Sequence, residues 1–559
     1  SVRSNSTAST IAGGRENTIG ENSLYSSIGG GFLNVIPNSD SSTIGGGSKN
    51  TIQDDADGST IGGGATNTIN ANSLLGTIGG GWQNTVTNTD SATIGGGSVN
   101  SVLNESDGST IGGGSDNMII NAATLSTISG GRLNRINNSD SSTIGGGSNN
   151  TVLNDADAST VGGGSDNTIQ TGSLVSTIGG GWTNTVTNTD TATIGGGALN
   201  TITDESDGST IGGGADNLVT TTATLGTIGG GRMNTINNSD SATIGGGTNN
   251  LVFNESDAST VSGGIDNTIQ ISALSSTIGG GRSNTVTINT QYGTIGGGEQ
   301  NLVNNTDSST ISGGSKNTII DDADASTIGG GMDNIITTTA VASTIGGGRG
   351  NTVTTTTLYG TIGGGEQNTV NNTDSSTIGG GSKNTIINES DASTISGGMD
   401  NLITTNSSKG TIGGGASNTI NNVINSTVGG GISNTVSASA NSSTIAGGST
   451  NTVTNSAINS AIGGGISNTI TNGADHSTIG GGSTNTVSSS ANYSTIGGGY
   501  SNTVTSGADH SAIGGGNSNT INNSANYSTI GGGTTNTISN GSDHSTISGG
   551  ASQTINNGS

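Results

Sequence analysis

Clusters of acidic side chains recur at fixed intervals in the sequence and are the first candidates for chemistry. Asp54, Asp55 and Asp57 form one cluster, and Glu105 and Asp107 lie in the equivalent cluster 50 residues later. Ca²⁺ takes six to eight oxygen ligands, so each cluster is a candidate calcium site. The Gly-rich pattern of calcium-binding β-rolls is absent, and solvated charge is the competing interpretation. We predict no cofactor and no metal, with Ca²⁺ as the alternative.

The three histidines are the next candidates, and they do not assemble a catalytic group. His476, His510 and His544 lie 34 residues apart, each between Asp and Ser. Neighbouring residues of a strand point to opposite faces, so adjacency does not create a catalytic triad. The chain has no Cys and no GxxxxGK[ST] phosphate-binding motif. We predict a surface column of histidines and no enzymatic activity.

Large side chains recur at one further position, which is typical of a contact between subunits. Trp and Arg are frequent anchors of protein interfaces, and a guanidinium can stack on an aromatic ring. We predict subunit contacts at this position, against the alternative that these residues decorate an exposed corner. They are Phe32, Trp82, Arg132, Trp182, Arg232 and Arg282.

All these candidates lie on one short repeat that fills the chain. The unit reads S-T-I-G-G-G-x-x-N-T-I/V, followed by a variable polar loop. Its first aliphatic residue, here called the landmark, occurs 33 times at spacings of 16 or 17 residues. A second Ile or Val follows each landmark by eight residues, and Gly occupies the second and third positions after it. Asn follows each landmark by six residues, and Gln553 alone replaces it.

The period and the residue types predict an all-β parallel solenoid, or β-roll, of about 33 coils of 16–17 residues with two short strands each. Ile and Val next to Thr are strand residues, and alternation turns the aliphatic side chains inward. At roughly 4.8 Å per coil, the prediction is a rod about 155 Å long. The Asn column is expected to form a ladder of amides between coils. The predicted core and ladder begin with Ile44, Ile52, Ile61 and Ile69, and with Asn50, Asn67, Asn84 and Asn100.

Longer repeats divide this array without interrupting it. Similar segments return after three coils in roughly 20–290, after four coils in roughly 295–410 and after two coils in roughly 428–559. Segmental duplication explains these longer periods, and regular contact with a neighbouring molecule is the alternative. We therefore predict one continuous repeat array over 1–559.

Composition and charge exclude several classes of partner. The 559 residues include 107 Gly, and only 26% are apolar and 9% charged, with a net charge of −26. Nucleic acids and anionic membranes require clustered Lys and Arg, which are absent, and no apolar run approaches the ~20 residues that span a bilayer. We predict no nucleic-acid binding and no membrane insertion. The chain begins without Met, so we expect a processed chain or an excised fragment.

The S-T-I-G-G-G-x-x-N-T-I unit resembles the YadA-like head repeats of trimeric autotransporter adhesins, also called haemagglutinin-type repeats. Similar G-G-G-x-x-N-T units occur in phage and large-virus fibre proteins. The resemblance covers nearly the whole chain and implies a left-handed β-roll, often with three chains side by side, that serves as a surface spike or adhesive fibre. The unit is longer than the usual head repeat, and the coiled-coil stalk and membrane anchor of the family are absent from this sequence.

The favoured hypothesis is a structural protein of an extracellular, cell or virion surface that builds a fibre by self-association. The first and last units are ordinary repeats, so we expect coils to continue end to end or rods to pack side by side. The alternative is a trimeric adhesin or a receptor-binding fibre that recognises a surface receptor or glycan. A remote alternative is ice binding, because outward Thr columns such as Thr43, Thr60 and Thr77 could order water.

Overall fold

The computed structural model describes residues 1–556 as an all-β parallel β-solenoid, and no helix occurs in that range. The chain forms two compact units, residues 1–281 and residues 282–559, the second described as far as residue 556. The last three residues of the predicted array, 557–559, lie outside the described residues. The fold class and the two short strands per coil are confirmed.

The first unit contains two parallel sheets whose strands alternate along the chain. Strands of the first sheet carry the landmark, and strands of the second sheet carry the Ile or Val eight residues later. The first-sheet strands are Thr10–Ile11, Ser27–Ile28, Thr43–Ile44, Thr60–Ile61, Thr77–Ile78, Thr93–Ile94, Thr110–Ile111, Thr127–Ile128, Thr143–Ile144, Thr160–Val161, Thr177–Ile178, Thr193–Ile194, Thr210–Ile211, Thr227–Ile228, Thr243–Ile244, Thr260–Val261 and Thr277–Ile278. The second-sheet strands are Thr18–Ile19, Val35–Ile36, Thr51–Ile52, Thr68–Ile69, Thr85–Thr87, Ser101–Leu103, Met118–Ile120, Arg135–Asn137, Thr151–Leu153, Thr168–Gln170, Thr185–Thr187, Thr201–Thr203, Leu218–Thr220, Thr235–Asn237, Leu251–Phe253 and Thr268–Gln270.

The second unit repeats the same arrangement. Its first-sheet strands are Thr294–Ile295, Thr310–Ile311, Thr327–Ile328, Thr344–Ile345, Thr361–Ile362, Thr377–Ile378, Thr394–Ile395, Thr411–Ile412, Thr427–Val428, Thr444–Ile445, Ala461–Ile462, Thr478–Ile479, Thr495–Ile496, Ala512–Ile513, Thr529–Ile530 and Thr546–Ile547. Its second-sheet strands are Thr285–Thr287, Leu302–Asn304, Thr318–Ile320, Ile335–Ile336, Thr352–Thr354, Thr369–Asn371, Thr385–Ile387, Leu402–Thr404, Thr419–Asn421, Thr435–Ser437, Thr452–Val453, Thr469–Ile470, Thr486–Val487, Thr503–Val504, Thr520–Ile521, Thr537–Ile538 and Thr554–Ile555.

Within each unit the register follows the sequence repeat, because each strand pairs with the equivalent strand of the next coil. Thr43 and Ile44 face Thr60 and Ile61 in the first sheet, for example. In each unit a third parallel contact runs through the residues four positions after the landmarks, which form single bridges from coil to coil. We call this line of residues the corner column.

The core of each unit is a narrow stack of Ile and Val side chains. Ile44, Ile52, Ile61 and Ile69 are each 0% exposed, and the Thr that precedes each of them is only half-buried. This alternation is what a two-residue strand with one inward side chain requires. Small side chains from the loop, such as Ala56, fill the remaining interior.

The Asn column closes the interior on the side of the Gly run. Asn50 is fully buried, and its Nδ2 donates to the carbonyls of Gly46 and Gly64 at 3.0 Å. Its Oδ1 accepts the backbone N–H of Asn67 at 3.0 Å and the Nδ2 of Asn67 at 3.1 Å. Each amide therefore bonds to its own coil and to its neighbours, which satisfies backbone groups that the Gly turn leaves unpaired.

A buried Ser column performs the same task on the opposite side of the first strand. Ser59 Oγ donates to the carbonyl of Ser73 and accepts the backbone N–H of Gly76, both at 2.9 Å. Ser126 repeats the arrangement, with Oγ accepting the backbone N–H of Ser142 at 3.0 Å. The coils are therefore joined by side-chain hydrogen bonds on both flanks of the aliphatic core.

Candidate interaction surface

The corner column of the first unit carries the large side chains that the sequence singles out. Trp82 and Trp182 are 50% and 54% exposed, although their backbones are bridged to the coils on either side. The third Gly of each run has a positive φ and turns the chain just before this position. The corner side chain therefore projects outward from the surface directly after the turn. Exposed aromatic side chains on a rigid backbone are suitable for recognition of a partner.

The predicted contact residues differ in their surroundings. The guanidinium of Arg15 lies 5.4 Å from the ring centroid of Phe32, which is half-buried. Arg132 is exposed. Arg232 Nε lies 3.8 Å from Asp216 Oδ2. Five of the six positions are therefore exposed, whereas Phe32 is partly covered by its own chain.

Arg282 opens the corner column of the second unit and has an acidic partner in the next coil. Its Nη1 lies 3.6 Å from Glu299 Oε1, and the pair recurs as Arg349 and Glu366 at the same distance. All four side chains are at least half exposed, so each pair contributes little to stability.

Asp166, in the coil before Trp182, has polar contacts that the coil before Trp82 lacks. Asn149 Nδ2 and Ser165 Oγ donate hydrogen bonds to the carboxylate of Asp166, at 2.6 and 2.5 Å. These two bonds, with a smaller contribution from the Trp182 side chain, lower the pKa of Asp166 below its ordinary value of 3.8. The carboxylate therefore stays ionised at neutral pH, and its hydrogen bonds weaken only as the pH falls through that lowered pKa. Thr66 occupies the equivalent position before Trp82.

The second unit continues the corner column with large apolar side chains that the sequence argument did not identify. Met332, Met399, Ile432, Ile466 and Tyr500 are 44–57% exposed. Their spacing changes from four coils to two coils along the chain. A search for the 50-residue, three-coil period of the first unit therefore does not find them. The signal that finds them is their fixed position four residues after the landmark.

The acidic clusters hold backbone groups of the neighbouring coil. Asp57 Oδ1 accepts the backbone N–H of Asp40, and Asp107 Oδ1 accepts that of Asp90, both at 2.7 Å. Asp54, Asp55 and Glu105 are exposed. Among residues 1–556, no group of three or more His, Asp or Glu side chains is arranged to hold a metal ion. The last carboxylate of each cluster is thus hydrogen-bonded to the backbone of the neighbouring coil.

The histidines belong to an exposed aromatic stack in the second unit. Its rings are nearly parallel, with interplanar angles of 2–13° and centroids 4.7–5.1 Å apart. The coil repeat sets this spacing, and the stack leaves ring edges, with imidazole nitrogens and phenol hydroxyls, at the surface. The alternation was missed in the sequence because the tyrosines lie in the intervening coils. The stack consists of His476, Tyr493, His510, Tyr527 and His544.

The outward Thr columns differ between the two sheets. In the first sheet, Thr occupies nearly every strand, as at Thr43 and Thr60. In the second sheet, larger side chains such as Met118 and Arg135 interrupt the Thr column. The first sheet therefore presents the more regular hydroxyl row. That row is a single side chain wide in most coils, because Gly follows the landmark there, whereas a few coils carry Ser or Ala, as at Ser129 and Ala446.

Comparison with known proteins adds no family assignment. No protein-family model matches the chain. No significant match exists among curated protein sequences. No helix in residues 1–556 is long and apolar enough to cross a membrane.

Proposed function

We propose that this is a structural protein of an extracellular, cell or virion surface, which forms a fibre by association of its solenoid units. The observation that carries the proposal is the corner column, where Trp82 and Trp182 stay half exposed on a bridged backbone. The resemblance to YadA-like head repeats supports the same function.

The physical argument for self-association begins with the cost of leaving these side chains in water. A fully covered Trp buries 150–250 Å², so covering the exposed half of Trp82 or Trp182 removes roughly half of that area from water, at roughly 25 cal/mol per Å² of apolar surface. Because the corner residues are already bridged to both neighbouring coils, covering them needs little further ordering of the backbone. A contact at one corner can then recur at the next equivalent coil.

Negative-stain electron microscopy of the purified chain tests the proposal. We expect filaments or bundles that contain many copies. Isolated particles of one chain, at concentrations up to about 1 mM where even weak contacts form, would contradict the fibre function.

The two tryptophans provide a mutational test of the same proposal. Replacing both, Trp82→Ala and Trp182→Ala, removes the largest exposed side chains of the corner column without touching the core. We expect the concentration needed for half-assembly to rise at least about tenfold, since interface tryptophans are frequently worth more than 1.4 kcal/mol each. Sedimentation velocity measures the shift.

A matched control removes an exposed aromatic side chain from a different column. Tyr25 is 68% exposed and lies outside the corner column, so Tyr25→Ala should leave assembly unchanged. Equal effects of the two variants would show that general surface apolarity, and not the corner, drives association.

A receptor-binding fibre is the second candidate function, and the stack of His476, Tyr493 and their neighbours favours it. Its ring edges present alternating imidazole nitrogens and phenol hydroxyls, which can hydrogen-bond to a glycan or a protein receptor. Binding to a glycan array, lost in Tyr493→Ala with Tyr527→Ala, would support this function. The isolated exposed tyrosines Tyr292 and Tyr359 provide the matched control variants.

A further inference from the structure

Large and small side chains alternate strictly along seven successive coils of the corner column in the second unit. The large residues are Met399, Ile432, Ile466 and Tyr500, which are 51–57% exposed. The residues between them are Ala416, Ser449 and Ser483, which are half-buried. The backbone of each of these residues is bridged in parallel to that of the next one, so the large and small side chains keep fixed positions along the column.

This alternation creates a row of projections with gaps of the same period. Coils repeat at roughly 4.8 Å, so the projections stand roughly 9.6 Å apart with one gap between each pair. An Ile side chain extends one carbon atom beyond the γ position at which Ser ends, and its second γ carbon makes it wider; Met and Tyr extend further. A second identical row fits against the first when it is displaced by an odd number of coils.

The flanking residues leave this row accessible. From Ser417 to Ser501 the next column consists of short hydroxyl side chains, including Thr450 and Ser467, whose oxygens lie 2.8 Å apart, whereas Asp400 follows Met399. Thr484 and Ser501 form the same pair at 2.9 Å. These hydroxyls bond to one another, so an approaching surface need not supply partners for them.

The charge distribution favours a second copy of this chain as the partner that covers the alternating row. The whole chain carries a net charge of −26, which opposes contact between copies. Residues 410–474, however, contain no Asp, Glu, Lys or Arg. The alternating row thus lies largely in an uncharged segment, where two copies can meet without repulsion or unpaired charges.

We propose that this row is a self-complementary contact, in which the large side chains of one copy fill the gaps of a second copy. The inference rests on the proposed fibre function and adds the register of the contact. An odd displacement between parallel copies gives a staggered pair of chains, because both copies contribute the same face, and the fibre then extends through other contacts of the chain. An antiparallel fit with the same rule gives a pair of chains.

The register makes a sharp prediction for cysteine cross-linking. No large position ever faces its own equivalent in the partner, whether the two copies are parallel or antiparallel. The chain has no Cys, so single cysteines report without background. We expect Ile466→Cys to form no disulfide with itself. It should form a mixed disulfide with at least one of Ala416→Cys, Ser449→Cys and Ser483→Cys, because the gaps lie opposite the projections.

Two results would overturn the inference. One is efficient Ile466→Cys homodisulfide formation, which would show that equal residues face each other or that another protein surface binds here. The other is filament formation without any mixed disulfide. In that second case the fibre function stands and only this contact fails, whereas isolated chains in electron microscopy reject both.

Filling the gaps tests the contact without new covalent bonds. Ser449→Lys with Ser483→Lys places two flexible cations in the gaps, and we expect the concentration for half-assembly to rise at least tenfold. Ser456→Lys with Ser490→Lys changes two exposed loop serines of the same two coils, outside the corner column. This control should assemble as the unchanged protein does, and equal loss in both variants would contradict the inference.

Discussion

Adjacent glycines of one turn tolerate a side chain very differently. Gly47 has φ +86°, and a Cβ there would lie 2.0 Å from the carbonyl oxygen of Gly64 in the next coil. A Cβ at Gly46 would meet nothing within 4 Å. The third glycine of the run therefore determines how closely consecutive coils approach, while the second stands at an open position.

Gly47→Ala is expected to destabilise the coils around it by about 2–4 kcal/mol, because the methyl group collides with backbone and the conformation disfavours an L side chain. Gly46→Ala should change stability by less than about 1 kcal/mol. Urea unfolding followed by circular dichroism measures the difference. Similar effects from both substitutions would show that the close approach does not control stability.

Some residue-scale features were beyond sequence reasoning. Lys49, Val99 and Leu133 adopt positive φ values of 57–59° just after the corner, where the sequence offers no glycine. Val in this conformation is unfavourable by itself, and the bonds between coils maintain it. Val99 N–H donates to the Trp82 carbonyl at 2.8 Å, which illustrates how the stacked neighbour overrides local preference.

Rows of identical side-chain contacts hold each element in place. The strands are only two or three residues long, so each contributes few backbone hydrogen bonds of its own. The Asn and Ser columns add buried hydrogen bonds beside them, as Asn50 and Ser59 show. Side-chain ladders therefore supply part of the cohesion that longer strands would otherwise provide.

Asn50→Ala is expected to remove five hydrogen bonds and to leave the N–H of Asn67 without its partner. A buried unsatisfied group costs about 1–3 kcal/mol, so local opening should become at least fivefold more frequent. Hydrogen exchange at Asn67 and adjacent amides measures this change.

Gln53→Ala provides the comparison within the same coil, since Gln53 is an exposed amide. Its exchange pattern should match that of the unchanged protein. If Asn50→Ala also leaves the exchange of Asn67 unchanged, the ladder does not stabilise the coil.

The elements were largely predictable because one repeat encodes them all. The landmark Ile and the second Ile or Val indicate both strands, and alternation places them inward, as observed at Ile44 and Ile52. The third line of bridges was not predicted, because its residues range from Ser48 to Trp82 and carry no shared side-chain signal. Backbone geometry after the Gly turn creates that line.

Charge is unevenly distributed over the whole molecule. Residues 410–559 contain only three of the 37 acidic residues and none of the 11 basic ones. Repulsion between copies therefore arises almost entirely from residues 1–409. Any association of this acidic protein works against that repulsion.

Raising NaCl from about 20 mM to about 500 mM should strengthen self-association, because salt shortens the distance over which like charges repel. Sedimentation velocity should show larger species at the higher concentration. Sorbitol of equal osmolality, which does not screen charge, should have no such effect. Dissociation on adding salt would show that ion pairs between copies hold the assembly.

The hydrogen bonds that join coils also constrain how the chain can fold. Nearly all of them connect residues 13–18 positions apart, as between Asn50 and Gly64 or between Thr43 and Ser59. Such a chain has low relative contact order, and its loop-closure entropy is the same at every step. Folding can therefore advance one coil at a time from whichever segment is ordered first. A chain leaving a ribosome or a secretion channel could add each new coil to those already formed, without waiting for its far end.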